Sequence, residues 1–157
     1  ISKGLIYNYF DSKEALLLEL IDEGMQTIMN MIDPNQDGAL NPEEVEGFIR
    51  RTFESIRENS QFWIFFISVV LQPGVRDFLE GKPFSSVLER FGPKLIDYFE
   101  MMGYEDPYLE MLTFSALIEG YGVVLVYYLP QEDIPERVIK KFEDRMVHMF
   151  TKKPNES

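Results

Sequence analysis

The chain has 157 residues, enough for one ordinary domain with a sizeable core, and 45% of them are hydrophobic, which excludes a disordered protein. Its formal net charge of −12 argues against non-specific binding to nucleic acid. It contains no cysteine, which excludes disulfides, thiolate catalysis and cysteine zinc sites and fits a reducing cytoplasm. The longest apolar run, Phe62 to Leu71, is too short to span a bilayer, so we expect no membrane partner.

The N-terminal stretch ISKGLIYNYFDSKE predicts a short helix, a tight turn and the start of a longer helix. Ser2 is a natural N-cap, because its hydroxyl can accept a hydrogen bond from a free backbone N–H of the first turn. Asp11 stands three residues before Glu14, which is a capping-box spacing. Lys3 and Lys13 outnumber Asp11, so this end of an acidic chain is net positive. We interpret the stretch as the second half of a helix-turn-helix, whose recognition helix contacts DNA.

The same stretch resembles the recognition and linker helices of the tetracycline-repressor-like (TetR/AcrR) transcriptional regulators. Those proteins typically read S-K-G-x-(I/L/V)-Y-x-Y-F-x-(S/N)-K-(E/D)-x-L, and the matching residues here are Ser2, Lys3, Gly4, Ile6, Tyr7, Tyr9, Phe10, Ser12, Lys13, Glu14 and Leu16. The resemblance implies a DNA-contacting set of Ser2, Lys3, Gly4, Tyr7, Asn8, Tyr9 and Lys13. Within it, Lys3 and Gly4 are expected nearest the bases, Asn8 is the variable position, and the others hold phosphates. The alternative is an ordinary capped helix pair with solvent-facing lysine and tyrosine side chains.

The resemblance also implies a division of the chain. Residues 1–20 would be the C-terminal half of a helix-turn-helix domain, and residues 21–157 an effector-binding and dimerisation domain. The first two helices of that DNA-binding domain are expected upstream of Ile1. The implied protein is a cytoplasmic, ligand-responsive regulator, a repressor that releases operator DNA when a small-molecule effector binds its helical domain. The family requires no cofactor.

Beyond the motif, apolar residues recur at helical spacing and predict an all-α helical bundle. Predicted helices cover residues 12–32, a segment from 42 onward, 60–71, 84–102, 107–129 and 134–150. Pro93 is expected to kink or break the fourth helix, and Gly103 to end it. The last helix carries a regular apolar stripe at Ile134, Val138, Phe142, Met146 and Phe150.

The helix over residues 107–129 is apolar almost all round, so in a chain of this size it must be covered on more than one side. The domain core would cover one side of this helix, and another subunit could cover a second side. Ala116, Gly120 and Gly122 would let another helix approach closely. In the resembled family the last two long helices form the dimer interface, which implies a homodimer through helices 107–129 and 134–150.

Residues 33–44, DPNQDGALNPEE, have the spacing of an EF-hand calcium loop. The oxygen ligands would come from Asp33, Asn35, Asp37, the carbonyl of Ala39, Asn41 and Glu44, with Gly38 at the sharp turn. The alternative is a polar connection in which Asp33 ends one helix and Asn41 caps the next, because loops are rich in Asp, Asn and Gly. If calcium binds here, the chain could instead be a calcium-binding helical module.

Aromatic residues and methionines are frequent in the second half of the chain. Candidates for lining an apolar effector pocket are Phe62, Trp63, Phe66, Tyr98, Met102, Phe114, Glu119 and Tyr121, although most side chains of this kind form plain core. Glu119 lies in a helix expected to be largely buried, where it could bind a cationic or hydroxylated effector, pair with an arginine or reach solvent. His148 is expected at the surface or an interface. The sequence has no Gly-rich phosphate loop or nucleophile motif, so we do not expect an enzyme.

Overall fold

A computed structural model of the chain describes residues 13–70, 83–128 and 135–154. Within these ranges it contains six α-helices and no strand, which confirms the all-α prediction. The helices are α1 (Lys13–Ile32), α2 (Pro42–Glu58), α3 (Ser60–Val70), α4 (Pro83–Met102), α5 (Pro107–Tyr128) and α6 (Glu136–Thr151).

Helix α2 begins with a complete capping box. The side chain of Asn41 accepts a hydrogen bond from the backbone N–H of Glu44 at 2.9 Å, and the carboxylate of Glu44 accepts one from the N–H of Asn41 at 3.1 Å. Pro42 occupies the first turn, where its missing N–H costs nothing. These local interactions fix where α2 begins, and therefore which of its side chains face the core.

Helix α2 lies at the centre of the bundle and packs against α1, α3, α5 and α6. Its buried face is Val45, Phe48, Ile49, Phe53 and Ile56. It runs parallel to α5, because Phe48 lies against Phe114 and Phe53 against Tyr121, with ring centroids 6.0 and 6.4 Å apart. It runs antiparallel to α6, since its arginines pair with acidic residues of α6 in reverse order.

Helix α4 continues through Pro93, where the sequence predicted a kink or break. Its end follows the prediction. Gly103 has a φ of +85°, a left-handed conformation that favours glycine, and the N–H of Tyr104 donates to the carbonyl of Phe99 at 3.1 Å. This tight turn brings α5 back against α4.

Helix α1 approaches α3 most closely at Gly24. A Cβ atom at that position would lie 2.5 Å from the ring of Phe66, which is far inside van der Waals contact. The two helices can therefore pack at this distance only because position 24 has no side chain.

We expect Gly24→Ala to destabilise the chain by about 1–3 kcal/mol, although alanine favours helix, because the added methyl group overpacks the contact. Urea unfolding followed by circular dichroism measures the loss. The control is Phe66→Leu, which makes room at the same contact. If the clash is the cause, the double variant is less destabilised than the sum of the two single variants, and simple additivity would contradict the explanation.

Candidate functional site

The predicted DNA-contacting residues Ser2, Lys3, Gly4, Tyr7, Asn8 and Tyr9 lie outside the described residues. Lys13 is the first described residue and already lies in α1, the helix predicted to lead away from DNA. The DNA-contacting set therefore stays a prediction, and the described residues define how the helix that follows it joins the bundle.

Helix α1 is held to the bundle at its middle and at its C-terminal end. At the middle, Gly24 lies directly on the ring of Phe66. At the end, the guanidinium of Arg51 donates to the backbone carbonyl of Met31 at 2.5 Å, and Ile32 is completely buried. The Arg51 contact satisfies one of the free carbonyls that every helix leaves at its C-terminus.

The loop between α1 and α2 is organised by hydrogen bonds between its own side chains and backbone. Asn35 accepts the backbone N–H of Asp37 at 3.0 Å, and Asp37 accepts the N–H of Ala39 at 2.9 Å. Gln36 and Gly38 have φ angles of 57° and 87°, so the chain turns sharply at both. The predicted turn at Gly38 therefore forms, and Gln36 shares in it.

Asp33 is the charged centre of this loop. Only 4% of its surface is exposed, and its Oδ2 accepts the backbone N–H of Gly38 at 3.3 Å. The same oxygen forms an ion pair with the ammonium of Lys94, which reaches it from α4. The hydrogen bond from Lys94 lowers the pKa of the Asp33 carboxyl below its ordinary value, although burial acts in the opposite direction. Asp33 is therefore ionised at neutral pH.

The side chains predicted to bind calcium all take part in hydrogen bonds or ion pairs within the protein. Asp33 is paired with Lys94, while Asn41 and Glu44 bond each other's backbone in the capping box. Among the described residues, no group of three or more His, Cys, Asp or Glu side chains is placed to hold a metal ion. Calcium binding stays a prediction: Lys94 contacts Oδ2 of Asp33, whereas Oδ1 is buried without a hydrogen-bond partner.

Apart from Glu119, the predicted effector-pocket residues belong to or pack against one hydrophobic cluster, within which their ring contacts form separate layers. Phe62, Trp63 and Phe66 of α3 form a triad with ring centroids 5.4–6.0 Å apart, next to Gly24 of α1. Tyr98, Met102 and Phe114 are buried in a second layer, which is built around Phe99 and Phe150. Among the described residues no ring contact joins the triad to this second layer.

Tyr121 and Glu119 complete the predicted pocket set, and they face different surroundings. The Tyr121 ring lies between Phe53 of α2 and Phe142 of α6, with centroids 6.4 and 4.8 Å away. Glu119 is exposed, so of the three alternatives for its carboxylate it takes the contact with solvent. The structure therefore brings Phe62, Trp63 and Phe66 together but does not bring Glu119 to them.

Two ion-pair groups join α2 to α6, and the sequence pattern did not identify them. Arg50 contacts Glu46 at 2.8 Å and both Glu143 and Asp144 at 3.3 Å. Arg57 contacts Glu136 at 2.8 Å. Glu143 is buried although it lies outside the predicted apolar stripe of α6, because its carboxylate is neutralised by Arg50 from the neighbouring helix. His148 is exposed, in agreement with a surface position.

Helix α5 is buried on one side and exposed on the other. Phe114, Leu125 and Val126 lie in the core, whereas Tyr108, Leu109 and Leu112 are 59%, 54% and 47% exposed. By length and composition alone, residues Pro107–Val126 would also suit a membrane-spanning helix, and 22% of their most apolar stretch is buried in the structure. This is weak evidence for a membrane span, because core helices of soluble proteins can have the same length and apolar composition.

No protein-family model, curated protein or solved structure matches the chain. The function of the protein is therefore inferred from its own residues.

The C-terminal end of α6 is fixed by tyrosine hydroxyls from α4 and the turn after it. Tyr98 is fully buried and donates to the carbonyl of Phe150 at 2.8 Å, and burial strongly raises the pKa of its phenol. Tyr104 donates to the carbonyl of Met149 at 2.7 Å. These bonds satisfy carbonyls of the last turn, which have no partner within the helix.

We expect Tyr98→Phe to lower the free energy of unfolding by about 1–2 kcal/mol, because the buried carbonyl of Phe150 loses its donor. Tyr108→Phe is the matched control, since the Tyr108 side chain is largely exposed, and it should change stability by less than about 0.5 kcal/mol. Thermal unfolding of both variants measures the difference. Equal effects of the two substitutions would mean that the buried hydroxyl contributes nothing.

Proposed function

We propose that this chain is the larger part of a ligand-responsive transcriptional regulator of the TetR/AcrR type, which acts as a homodimer and releases DNA when a small molecule binds. The observation that carries the proposal is the contact between Gly24 of α1 and Phe66 of α3. Helix α1 directly follows the recognition-helix motif in the sequence, and Phe66 belongs to the predicted pocket. A ligand that moves the ring of Phe66 must therefore move α1, because the contact has no free space.

The proposed mechanism needs two arrangements of the bundle with different affinity for the ligand. In one arrangement α1 holds the recognition helices of the two subunits at the spacing of successive major grooves. In the other, the ligand displaces α3, α1 shifts, and that spacing is lost. Trp63 lies beside Phe66 in the triad and donates to the hydroxyl of Ser55 at 3.0 Å, so its fluorescence would report such a shift.

The exposed side of α5 supports the homodimer. Its surface residues Leu109, Leu112, Ala116, Gly120 and Val124 recur every three or four positions and form one continuous stripe, which we call the α5 stripe. Ala116 and Gly120 are small, and a Cβ at Gly120 would meet nothing within 4 Å in this chain. A second helix can therefore approach closely at the middle of the stripe. Burying the α5 stripe between two copies of the chain removes apolar surface of both copies from water.

We expect the chain to be a dimer in analytical ultracentrifugation and Leu112→Glu to be a monomer, because a buried, unpaired carboxylate opposes association. The Leu112 side chain is already 47% exposed in the single chain, so the variant should keep its helical circular dichroism. Gln61→Glu, an equal change of charge on the exposed surface of α3, should leave the dimer intact. A wild-type monomer that floats with phospholipid vesicles would contradict the proposal and favour a membrane partner for α5.

The DNA-binding part of the proposal is tested on the protein extended by the residues expected before Ile1. In gel shifts with the DNA upstream of its own gene, we expect Lys3→Ala and Tyr7→Ala each to weaken binding by roughly 10-fold, because each loses a contact to DNA. Lys152→Ala, at an exposed position just after α6, should have no effect. If the two N-terminal variants bind as well as the wild type, the recognition helix has been assigned wrongly.

A further inference from the structure

The buried carboxylate of Asp33 requires a positive charge. A carboxylate with 4% exposure loses most of its hydration, and hydrogen bonds from neutral donors only partly replace it. The backbone N–H of Gly38 supplies one such bond, to Oδ2. Oδ1 is buried and has no hydrogen-bond partner. Lys94 is the charged group that the structure brings to this carboxylate.

The other oxygen side chains of the loop have partners within the loop itself. Asn35 and Asp37 accept backbone N–H groups, and a second bond joins the Asn35 amide to the Asp37 carboxylate at 3.1 Å. Asn41 and Glu44 are used in capping α2. The other polar side chains therefore form hydrogen bonds within the loop, and Asp33 is the position that needs a charge from outside it.

We propose that the Lys94 ammonium is the built-in cation of this loop: it neutralises the Asp33 carboxylate through Oδ2, and it straps the loop to α4 without a metal. Lys94 suits this role because its ammonium is a compact point charge with three donors on a flexible stem. Its side chain is 22% exposed, so the stem is largely packed while the pair stays near solvent. The loop retains the sequence spacing of a calcium site, but the charge of Asp33 is neutralised from within the chain.

The position of the pair gives the strap its structural role. Asp33 immediately follows Ile32, the last residue of α1, and Lys94 lies in the second half of α4. The other ion pairs among the described residues lie within α2 or join it to α6. The Asp33–Lys94 pair is therefore the ionic connection that this part of the chain provides between the exit of α1 and α4. This inference does not depend on the proposed DNA-binding function.

A double-mutant cycle on the whole chain tests the strap. We expect Lys94→Met and Asp33→Asn each to lower the melting temperature by roughly 5–10 °C, because each leaves a buried partner without its opposite charge or bond. The double variant should melt no lower than the less stable single variant, since the pair is then already lost. Lys140→Met, which removes an exposed ammonium of α6, is the control and should shift the melting temperature by less than about 2 °C. If one single variant fails to fold while the double variant folds, that result would support the proposal equally.

Calcium provides the second measurement. Because Lys94 already neutralises Asp33, about 1 mM CaCl2 should raise the melting temperature of the wild type by less than about 2 °C relative to EDTA. A larger rise would overturn the proposal, because the metal and not Lys94 would then be the cation of the loop. Fully additive losses in the cycle, or a Lys94→Met variant as stable as the wild type, would overturn it as well.

Discussion

The central position of α2 is the constraint on which the rest of the structure depends. Its apolar face contacts the aromatic residues of α5, and its arginines contact α1 and α6. All these contacts require one rotational setting of α2, since residues three or four positions apart share a face and their neighbours do not. The capping box at Asn41 and Glu44 fixes the start of the helix, so a local feature of the sequence helps to determine which partners α2 meets across the bundle.

The helices and their ends could be predicted from the sequence because their causes are local. Apolar spacing predicted the end of α1 at Ile32, where the structure has it, and the glycine at position 103 ends α4 as expected. Pro93 does not break α4, so of the predicted kink or break only the break is wrong. Proline removes only one backbone donor, and here the neighbouring helices α1 and α5, which pack against α4, hold the helix through it.

The partners of buried charges could not be predicted, because they come from distant parts of the chain. Asp33 and Lys94 are separated by 61 positions, and Arg50 and Glu143 by 93. The predicted apolar stripe of α6 includes the buried residues Met146 and Phe150 but leaves out Ile139 and Glu143, which are buried as well. Periodicity counts hydrophobic residues, so it cannot include a carboxylate that is buried because an arginine of another helix neutralises it. For α5, which is apolar on both sides, periodicity could not separate the core face from the exposed stripe.

The contacts that attach α1 to the bundle determine how a change in the core would reach the N-terminal end of this helix. The helix is held at its exit by Arg51 on the Met31 carbonyl and, on our proposal, by the Asp33–Lys94 strap next to it. Its middle rests on Phe66 through Gly24. A rigid helix that is fixed at one end and pushed near its middle turns about the fixed end. Because the rise per residue is constant, a displacement at Gly24, 8 residues from Ile32, becomes about 2.4 times as large at Lys13, 19 residues from Ile32. On our proposal for the function, the firm attachment at the exit of α1 would therefore convert a small movement of one aromatic ring into a larger movement of the segment proposed to contact DNA.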